Sequence, residues 1–570
     1  MRGRKSNFVA CVYCRQMKLA CDGPQKFPSP CSRCTKAQRI CSVDPAFKRT
    51  KRRERLTAVE KELQELKQTL NTREASSQPT HSTNHDTVIP PTGVLTPLEV
   101  QIPDLSLLSE LPGVDLPEQE AQDLIKEYFL RYDSFCPILP DSSKFLKYAK
   151  PCPLLFWTVL VTALRGHPER KDLYSSIADK VRTMAYEAPK PTNVSLQFMQ
   201  ALLLLCQWPL PYLRMEDPSH AFAVLATQMG LRMGMHRPDH SFEYGFDSYN
   251  GGHELLRRKV WACCFTTNVS VSGGLGLPAT IQLDHSLLQM SSTKPEWLPD
   301  TLYHQLHLSI QALNICNTLG SCESTSTGLL PTPLPVIRNF EGELRALEFR
   351  FSTSWSPSDH IVLFGCRMIL YTFALSIPDN DTAPTVEASS HWLVQAFMAA
   401  SDIIRTASTI QEQLFYAPSR IQKILIHAVC YLLLVRCSPH RELVDNSMLV
   451  NGISQARQVV QTLSIATGDF MARAVRFIDR LSQYGDTMSR GSDTEPFFTI
   501  KSRMGANLSL TSLLRLRTYT KQAQAQVQDQ TTAQDALPGN DVLNMGLDED
   551  IFASVNWDEL FLDMAALPTF

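Results

Sequence analysis

Residues 11–41 read CVYCRQMKLACDGPQKFPSPCSRCTKAQRIC, with cysteines at Cys11, Cys14, Cys21, Cys31, Cys34 and Cys41. The spacing is C-x2-C-x6-C-x9-C-x2-C-x6-C, which is a repeat: a shift of twenty residues carries Cys11 onto Cys31, Cys14 onto Cys34 and Cys21 onto Cys41. Each half offers two thiolates at i and i+3, on one side of a helical turn, and a third after a loop. Tetrahedral zinc takes four soft ligands, so three per half is one short. Two zinc ions both reach four-coordination only if two sulfurs bridge them, and the first cysteine of each half, Cys11 and Cys31, is the natural bridging pair. Six thiolates arranged in this way leave no open position for a catalytic water.

The same stretch resembles the fungal zinc binuclear cluster DNA-binding family. All six cysteines match its pattern, as do Arg15 and Lys18 of C-R-x-x-K, Asp22 after the third cysteine and the loop proline Pro30. The chain departs at Ala20, where the family usually has a second basic residue, and this puts one phosphate contact in doubt. The alternative, a disulfide framework, needs an oxidising compartment. No charged-apolar-small signal segment precedes Cys11, and apolar runs such as Pro153 to Leu164 are short for a bilayer. The expectation is therefore a soluble intracellular protein with reduced thiols and no membrane partner.

A formal net charge of −2 over 570 residues conceals a strong polarity. Residues 1–55 hold fifteen Lys/Arg against three Asp/Glu, a formal +12, while residues 522–570 hold nine Asp/Glu and no Lys/Arg, a formal −9. Six thiolates and two zinc ions contribute −2, which leaves +10 on a very small module and favours salt-sensitive DNA binding. The turn from Cys14 to Lys18 is expected to be a short helix whose outer face and C-terminal end can enter a major groove. Lys18 is the best base-reading candidate, and the resemblance implies recognition of a CGG triplet. Arg15, Arg33, Lys36 and Arg39 are candidates for phosphate contacts that position without specifying.

A basic linker follows, with Lys48, Arg49, Lys51, Arg52 and Arg53, suited both to phosphate contact and to nuclear import. Leu56, Val59, Leu63, Leu66 and Leu70 are then spaced three, four, three and four, the a/d seam of a coiled coil. Arg55 and Glu60, and Glu62 and Lys67, make opposite-sign g to e′ pairs in a parallel homodimer. The alternative is an amphipathic helix packed on a later domain, since little more than two heptads is marginal alone. A dimer would place two metal modules on two half-sites.

The expected organisation is mainly α: a zinc binuclear cluster module over 1–47, the basic linker over 48–55, a short coiled coil over 56–70 and a disordered linker over 71–117. A large all-helical domain over 118–488, a flexible segment over 489–540 and an acidic segment over 541–570 complete it. Helical patterns are clearest at Val194 to Cys206, Ala221 to Met235, Glu254 to Val271, Ile361 to Ile377, Trp392 to Ile410 and Ile421 to Val435. Three segments resemble the regulatory middle domain of fungal zinc-cluster factors: Tyr132 to Leu139, Gln228 to Pro238 and Arg257 to Trp261. Within that family the stretch from Met229 to Met235 and the acidic end look most like the leucine-pathway, weak-acid-response and secreted-protease regulators. That likeness implies control of a metabolic or biosynthetic pathway and a small-molecule effector.

Enzyme chemistry finds little support. Gly273-Gly274-Leu275-Gly276-Leu277-Pro278 lacks the Gly-Lys-Ser/Thr of a phosphate loop, and Cys263 and Cys264 lie in an apolar helical stretch that reads as core. Near the end of the sequence Trp557, Leu560, Phe561 and Met564 share one helical face, with Asp558, Glu559 and Asp563 away from it. This suits an activation segment that folds into a coactivator groove on binding; the alternative is a helix docked on its own middle domain. The sequence thus points to a nuclear transcription activator, with a repressor, or a zinc-dependent enzyme, as the rival readings.

Overall fold

The computed structural model describes residues 10–17, 19–26, 29–37, 41–43, 114, 116–187, 195–211, 217–245, 251–376, 386–465, 468–488 and 497–518. Among these the regular structure is helical, with no strand. Two compact units divide the chain, residues 1–100 and 101–570. The basic linker, the heptad, the segment from 71 to 113 and the acidic tail lie outside the described residues, as do Lys18 and Arg39.

The first unit contains three short helices, Val12–Met17, Gly23–Lys26 and Ser32–Lys36, around the sulfurs. The sequence repeat is also a backbone repeat. Arg15 N donates to Cys11 O at 2.9 Å, and twenty residues on Thr35 N donates to Cys31 O at 3.0 Å. Val12 N donates to Ser42 O at 2.9 Å and ties the end of the module to its first helix.

The second unit is organised about the Ser419–Arg436 helix, whose residues from Ala428 to Val435 are all buried. Pro357–Leu375, Val386–Thr409, Asn446–Thr462 and Phe470–Met488 pack against it, and Gly251–Leu275 touches it as well. A helix that is hydrophobic all round is stable only when enclosed in this way. Each of the six strongest helical patterns has its helix: Leu196–Gln207, Ser219–Arg232, Gly251–Leu275, Pro357–Leu375, Val386–Thr409 and Ser419–Arg436. Pro357–Leu375 is, at 19 residues, long and apolar enough to cross a membrane by length and composition, so the expectation that every apolar run is too short fails there. Its apolar surface is instead used by the core, with Ile361, Leu363, Met368 and Leu370 buried.

A further difference concerns residues 497–518, expected within a flexible segment. Phe498, Met504, Leu508, Leu513 and Leu516 are buried in the same core as the rest of the helical unit, and residues 507–518 are helical. Their short apolar pattern is too brief to read as a domain element alone; it acquires meaning from the surface it covers.

Of the three segments that resemble a regulatory domain, the second and third pack on one another, and the first meets the helix that carries the third. Tyr132 is fully buried, stacked on Tyr128 with ring centroids 5.9 Å apart, and edge-on to Trp208. Cys136 Sγ lies 3.3 Å from Cys263 Sγ, and Arg257 donates to Met233 O at 2.6 Å. Trp261 lies across Gly230, where an added Cβ would stand 2.5 Å from the indole ring. Its Nε1 donates to Asp284 Oδ2 at 2.7 Å. Gly230 therefore permits two helices to approach, whereas Gly342 sits on an exposed helix face with nothing within 4 Å of an added Cβ.

The two glycines predict opposite outcomes in chemical denaturation of the full chain. Gly230→Ala lowers stability by about 1–3 kcal/mol through overpacking, and Gly342→Ala raises it by up to about 1 kcal/mol through helix propensity. A Gly230→Ala protein as stable as the parent would show that the helix contact is not tight.

Candidate metal centre and nucleic-acid interface

Cys11, Cys14, Cys31 and Cys34 are buried, and Cys21 and Cys41 half-buried. Their sulfurs form two overlapping sets of four, Cys11/Cys14/Cys21/Cys31 and Cys11/Cys31/Cys34/Cys41, each with all Sγ atoms within 4.8 Å of one another. The sets share Cys11 and Cys31, the pair that the repeat singles out as bridges. Zinc–sulfur bonds of about 2.3 Å require tetrahedral edges of about 3.8 Å. Cys11 lies 3.9 Å from Cys31 and 3.6 Å from Cys34, and Cys14 lies 3.9 Å from Cys31. Two zinc ions therefore fit, held by six cysteines with two sulfurs common to both.

The electrostatics of the thiols point the same way. Burial pushes Cys14 and Cys34 well above the ordinary thiol range, whereas the Cys34 N–H, which donates to Cys31 Sγ at 3.4 Å, pulls Cys31 down to about 6. Buried sulfurs this close cannot all ionise unaided. Divalent cations supply the missing positive charge and deprotonate their ligands outright. Backbone amides complete the outer shell: Gly23 N donates to Cys21 Sγ and Cys31 N to Cys41 Sγ, both at 3.4 Å.

Asp22 joins the two halves. One carboxylate oxygen accepts from Ser32 N at 2.9 Å and the other from Ser32 Oγ at 2.5 Å, in the first turn of the third helix. The Ser32 hydroxyl is the main reason the Asp22 carboxyl sits below its usual range. Lys26 reaches the same pair, 2.6 Å from Ser32 Oγ and 3.6 Å from Asp22. This Asp22–Ser32–Lys26 junction was not anticipated; the only signal for it was an Asp just after the third cysteine.

Of the candidate DNA contacts, Arg15 lies in the last turn of the first helix, and Arg33 and Lys36 are exposed on the third. Arg33 Nε donates to Ala20 O at 3.0 Å. A guanidinium is thus anchored beside the position where the side chain itself is uncharged.

Outside this module one array has the outline of a hydrolytic triad. Asp359 Oδ2 lies 3.2 Å from His304 Nδ1, and His304 Nε2 lies 3.2 Å from Ser354 Oγ. Its surroundings are structural. Asp359 forms a capping box with Ser356 at the start of Pro357–Leu375, and the N–H groups of Ser354 and Trp355 are both spent on Phe351 O. Those two N–H groups are therefore not free to serve an oxyanion beside Ser354.

The comparisons with known proteins agree with this geometry. Residues 9–50 match the fungal Zn(2)-Cys(6) binuclear cluster domain, and residues 125–314 the fungal specific transcription factor domain. Fold and site together define a cysteine-cluster module suited to two zinc ions and a separate helical unit. Both matched segments are thus similar to domains of fungal transcription factors. It is similar to the transcriptional regulatory protein SEF1 of Candida albicans, 25% identical over 534 residues that make up 80% of this chain and 56% of the relative. A putative transcription factor SEF1 from Eremothecium gossypii is 23% identical over 563 residues, 76% of this chain and 52% of the relative. The regulatory protein LEU3 of Saccharomyces cerevisiae is 24% identical over 417 residues, 58% of this chain and 46% of the relative. The chain spans about half the length of these relatives.

Shared and unshared sulfurs predict different losses of metal. Cys21→Ser removes a ligand from one set of four and is expected to leave about one zinc per chain, whereas Cys31→Ser removes a ligand from both and leaves almost none. Zinc content measured on purified protein checks this, and equal losses in the two variants would contradict the shared-sulfur arrangement.

Proposed function

We propose that this chain is a sequence-specific DNA-binding regulator of RNA polymerase II genes, working in the nucleus as an activator on CGG-type half-sites. The observation that carries the reading is the cluster: a closed two-metal sulfur core with cationic side chains outside it. Lys18 reads bases, while Arg15, Arg33, Lys36 and Arg39 hold phosphates. Arg33, anchored on the Ala20 carbonyl, stands in for the cation that Ala20 does not provide. Lys48, Arg49, Lys51, Arg52 and Arg53 add sequence-independent affinity and serve nuclear import.

The heptad from Leu56 to Leu70 pairs two chains, so that two weakly selective modules read two half-sites and their selectivities compound. Trp557, Leu560, Phe561 and Met564 supply the apolar face that a coactivator groove takes up. The helical domain between them receives a small-molecule effector and ties the activity to a metabolic or biosynthetic pathway.

Lys18→Ala is expected to weaken binding to a CGG site by about 10- to 100-fold, the worth of a good base contact, with far less effect on random DNA. Equal losses on both duplexes, titrated at one salt concentration, would remove Lys18 from the reading role. Replacing Leu63 and Leu66 together by Glu is expected to turn a dimer into a monomer in sedimentation, and to abolish the advantage of paired over single half-sites. A double variant that still sediments as a dimer would place the pairing surface elsewhere.

A further inference from the structure

Outside the metal centre two sulfurs of the helical unit meet. Cys136 Sγ lies 3.3 Å from Cys263 Sγ, across a separation of 127 residues in the chain. Cys136 follows the 3-10 turn Asp133–Phe135, and its N–H donates to Asp133 O at 3.0 Å. Cys263 stands midway along Gly251–Leu275. Neighbouring sulfurs are turned elsewhere: Cys264 lies 3.6 Å from Thr227 Oγ1, and Cys206 donates to Ser219 O at 3.2 Å. A disulfide bond is about 2.05 Å long, so Cys136 and Cys263 need to close by only about 1.2 Å to form one.

The two thiols are chemically unequal. The Cys136 S–H, the Thr267 hydroxyl at 3.7 Å and the Arg420 guanidinium together hold Cys263 below the ordinary thiol range despite its burial. Thr267 Oγ1 accepts from Gln207 Nε2 at 2.7 Å, which leaves its own hydrogen for the sulfur. Arg420 Nε is buried without a hydrogen bond, and both sulfurs act on that guanidinium electrostatically. Cys136 is pushed up, by the contact with Cys263 and by burial. Buried cysteines are ordinarily inert because burial disfavours the thiolate; around Cys263 a thiol, a hydroxyl and a guanidinium replace the solvent that would stabilise it. Each residue is 2% exposed, so only a small reagent can reach the pair.

We propose that Cys136 and Cys263 are a redox pair, which hydrogen peroxide converts into a reversible intramolecular disulfide. The Cys263 thiolate attacks one peroxide oxygen: an S–O bond forms, the O–O bond breaks, and the departing hydroxide takes up the Cys263 proton as water. Cys263 is then a sulfenic acid. Cys136 Sγ attacks that sulfur, the S–O bond breaks, and the hydroxide leaves as a second water with the Cys136 proton. Two thiols thus lose two electrons and two protons, and one peroxide becomes two waters. The bond ties the stretch between Glu118–Arg131 and Ser142–Ala149 to Gly251–Leu275. Closing so long a loop restricts the unfolded chain and stabilises the helical unit. A dithiol reductant reverses it by exchange.

The test uses the zinc-loaded full chain without DNA, so that its failure is separate from any failure of DNA recognition. The protein is treated with equimolar hydrogen peroxide, its remaining thiols are alkylated, and a non-reducing digest is mapped by mass spectrometry while zinc content is followed. A peptide pair joined through Cys136 and Cys263 is expected, lighter by two hydrogen atoms than the separate thiols and absent after dithiothreitol, with both zinc ions retained. The oxidised chain is expected to melt several degrees higher than the reduced one. Cys136→Ser is expected to lose the crosslink and the shift, and to leave a sulfenic acid at Cys263 that dimedone labels. Cys263→Ser is expected to leave Cys136 unlabelled. Glutathione disulfide, too large to reach the pair, is expected to give far less crosslink than peroxide. Zinc release before any crosslink, a crosslink to Cys264 instead, dimedone on the more accessible Cys322 but not on Cys263, or equal yield from glutathione disulfide would overturn the proposal. Should either variant fail to fold by circular dichroism, the peptide map of the parent chain decides alone.

Discussion

Six sulfurs have to serve two tetrahedral ions, and this constraint shapes everything in the N-terminal unit. Sharing Cys11 and Cys31 brings the two half-repeats face to face, because each bridging sulfur must lie within bonding distance of both metals. The rest of the module arranges itself around that demand. Short helices present sulfurs at i and i+3, Asp22 clamps the start of the third helix, and backbone N–H groups settle the terminal thiolates. A module with so little apolar core owes its folding free energy to the metal, which leaves the outer face to cations that would otherwise oppose compaction.

The helical unit answers a different demand, the burial of one long helix whose surface is mostly apolar. Ser419–Arg436 can exist only if its neighbours enclose it, and the segments that resemble a regulatory domain are part of the enclosing structure. Gly230 under Trp261, Arg257 on Met233 O and Cys136 against Cys263 are packing contacts that bring sequence-distant segments together. Asn268 shows how polar groups are tolerated there: it donates to Thr227 and Thr280 and accepts from Thr280 N, so none of its capacity is wasted. Arg420 Nε and His427 Nε2 stand out against that economy, since both are buried without a hydrogen bond.

Much of this was legible in the sequence. Metal ligation depends on a few residues at fixed short spacings, so the six cysteines and their sharing followed from counting donors against tetrahedral coordination. Helices of ten residues or more with a sustained apolar period, such as those near 421–435 and 392–410, were equally readable, because periodicity is a local property. The helix over 507–518 was not. Its leucines run on into a glutamine-rich stretch, and only the core that it completes distinguishes it from a linker. The contact of Cys136 with Cys263 was likewise invisible, since the two are far apart in the chain.

The sequence by itself pointed to zinc and to a cluster of six cysteines that the fold brings together, because coordination chemistry acts through residue type and spacing. Tertiary structure alone decided that Arg33 reaches the Ala20 carbonyl, that a span-length apolar helix is core, and that Arg420 Nε of the central helix is buried without a hydrogen bond. Each of these turns on which groups meet across long separations in sequence. A residue's partners, unlike its chemistry, exist only once the chain has closed around them.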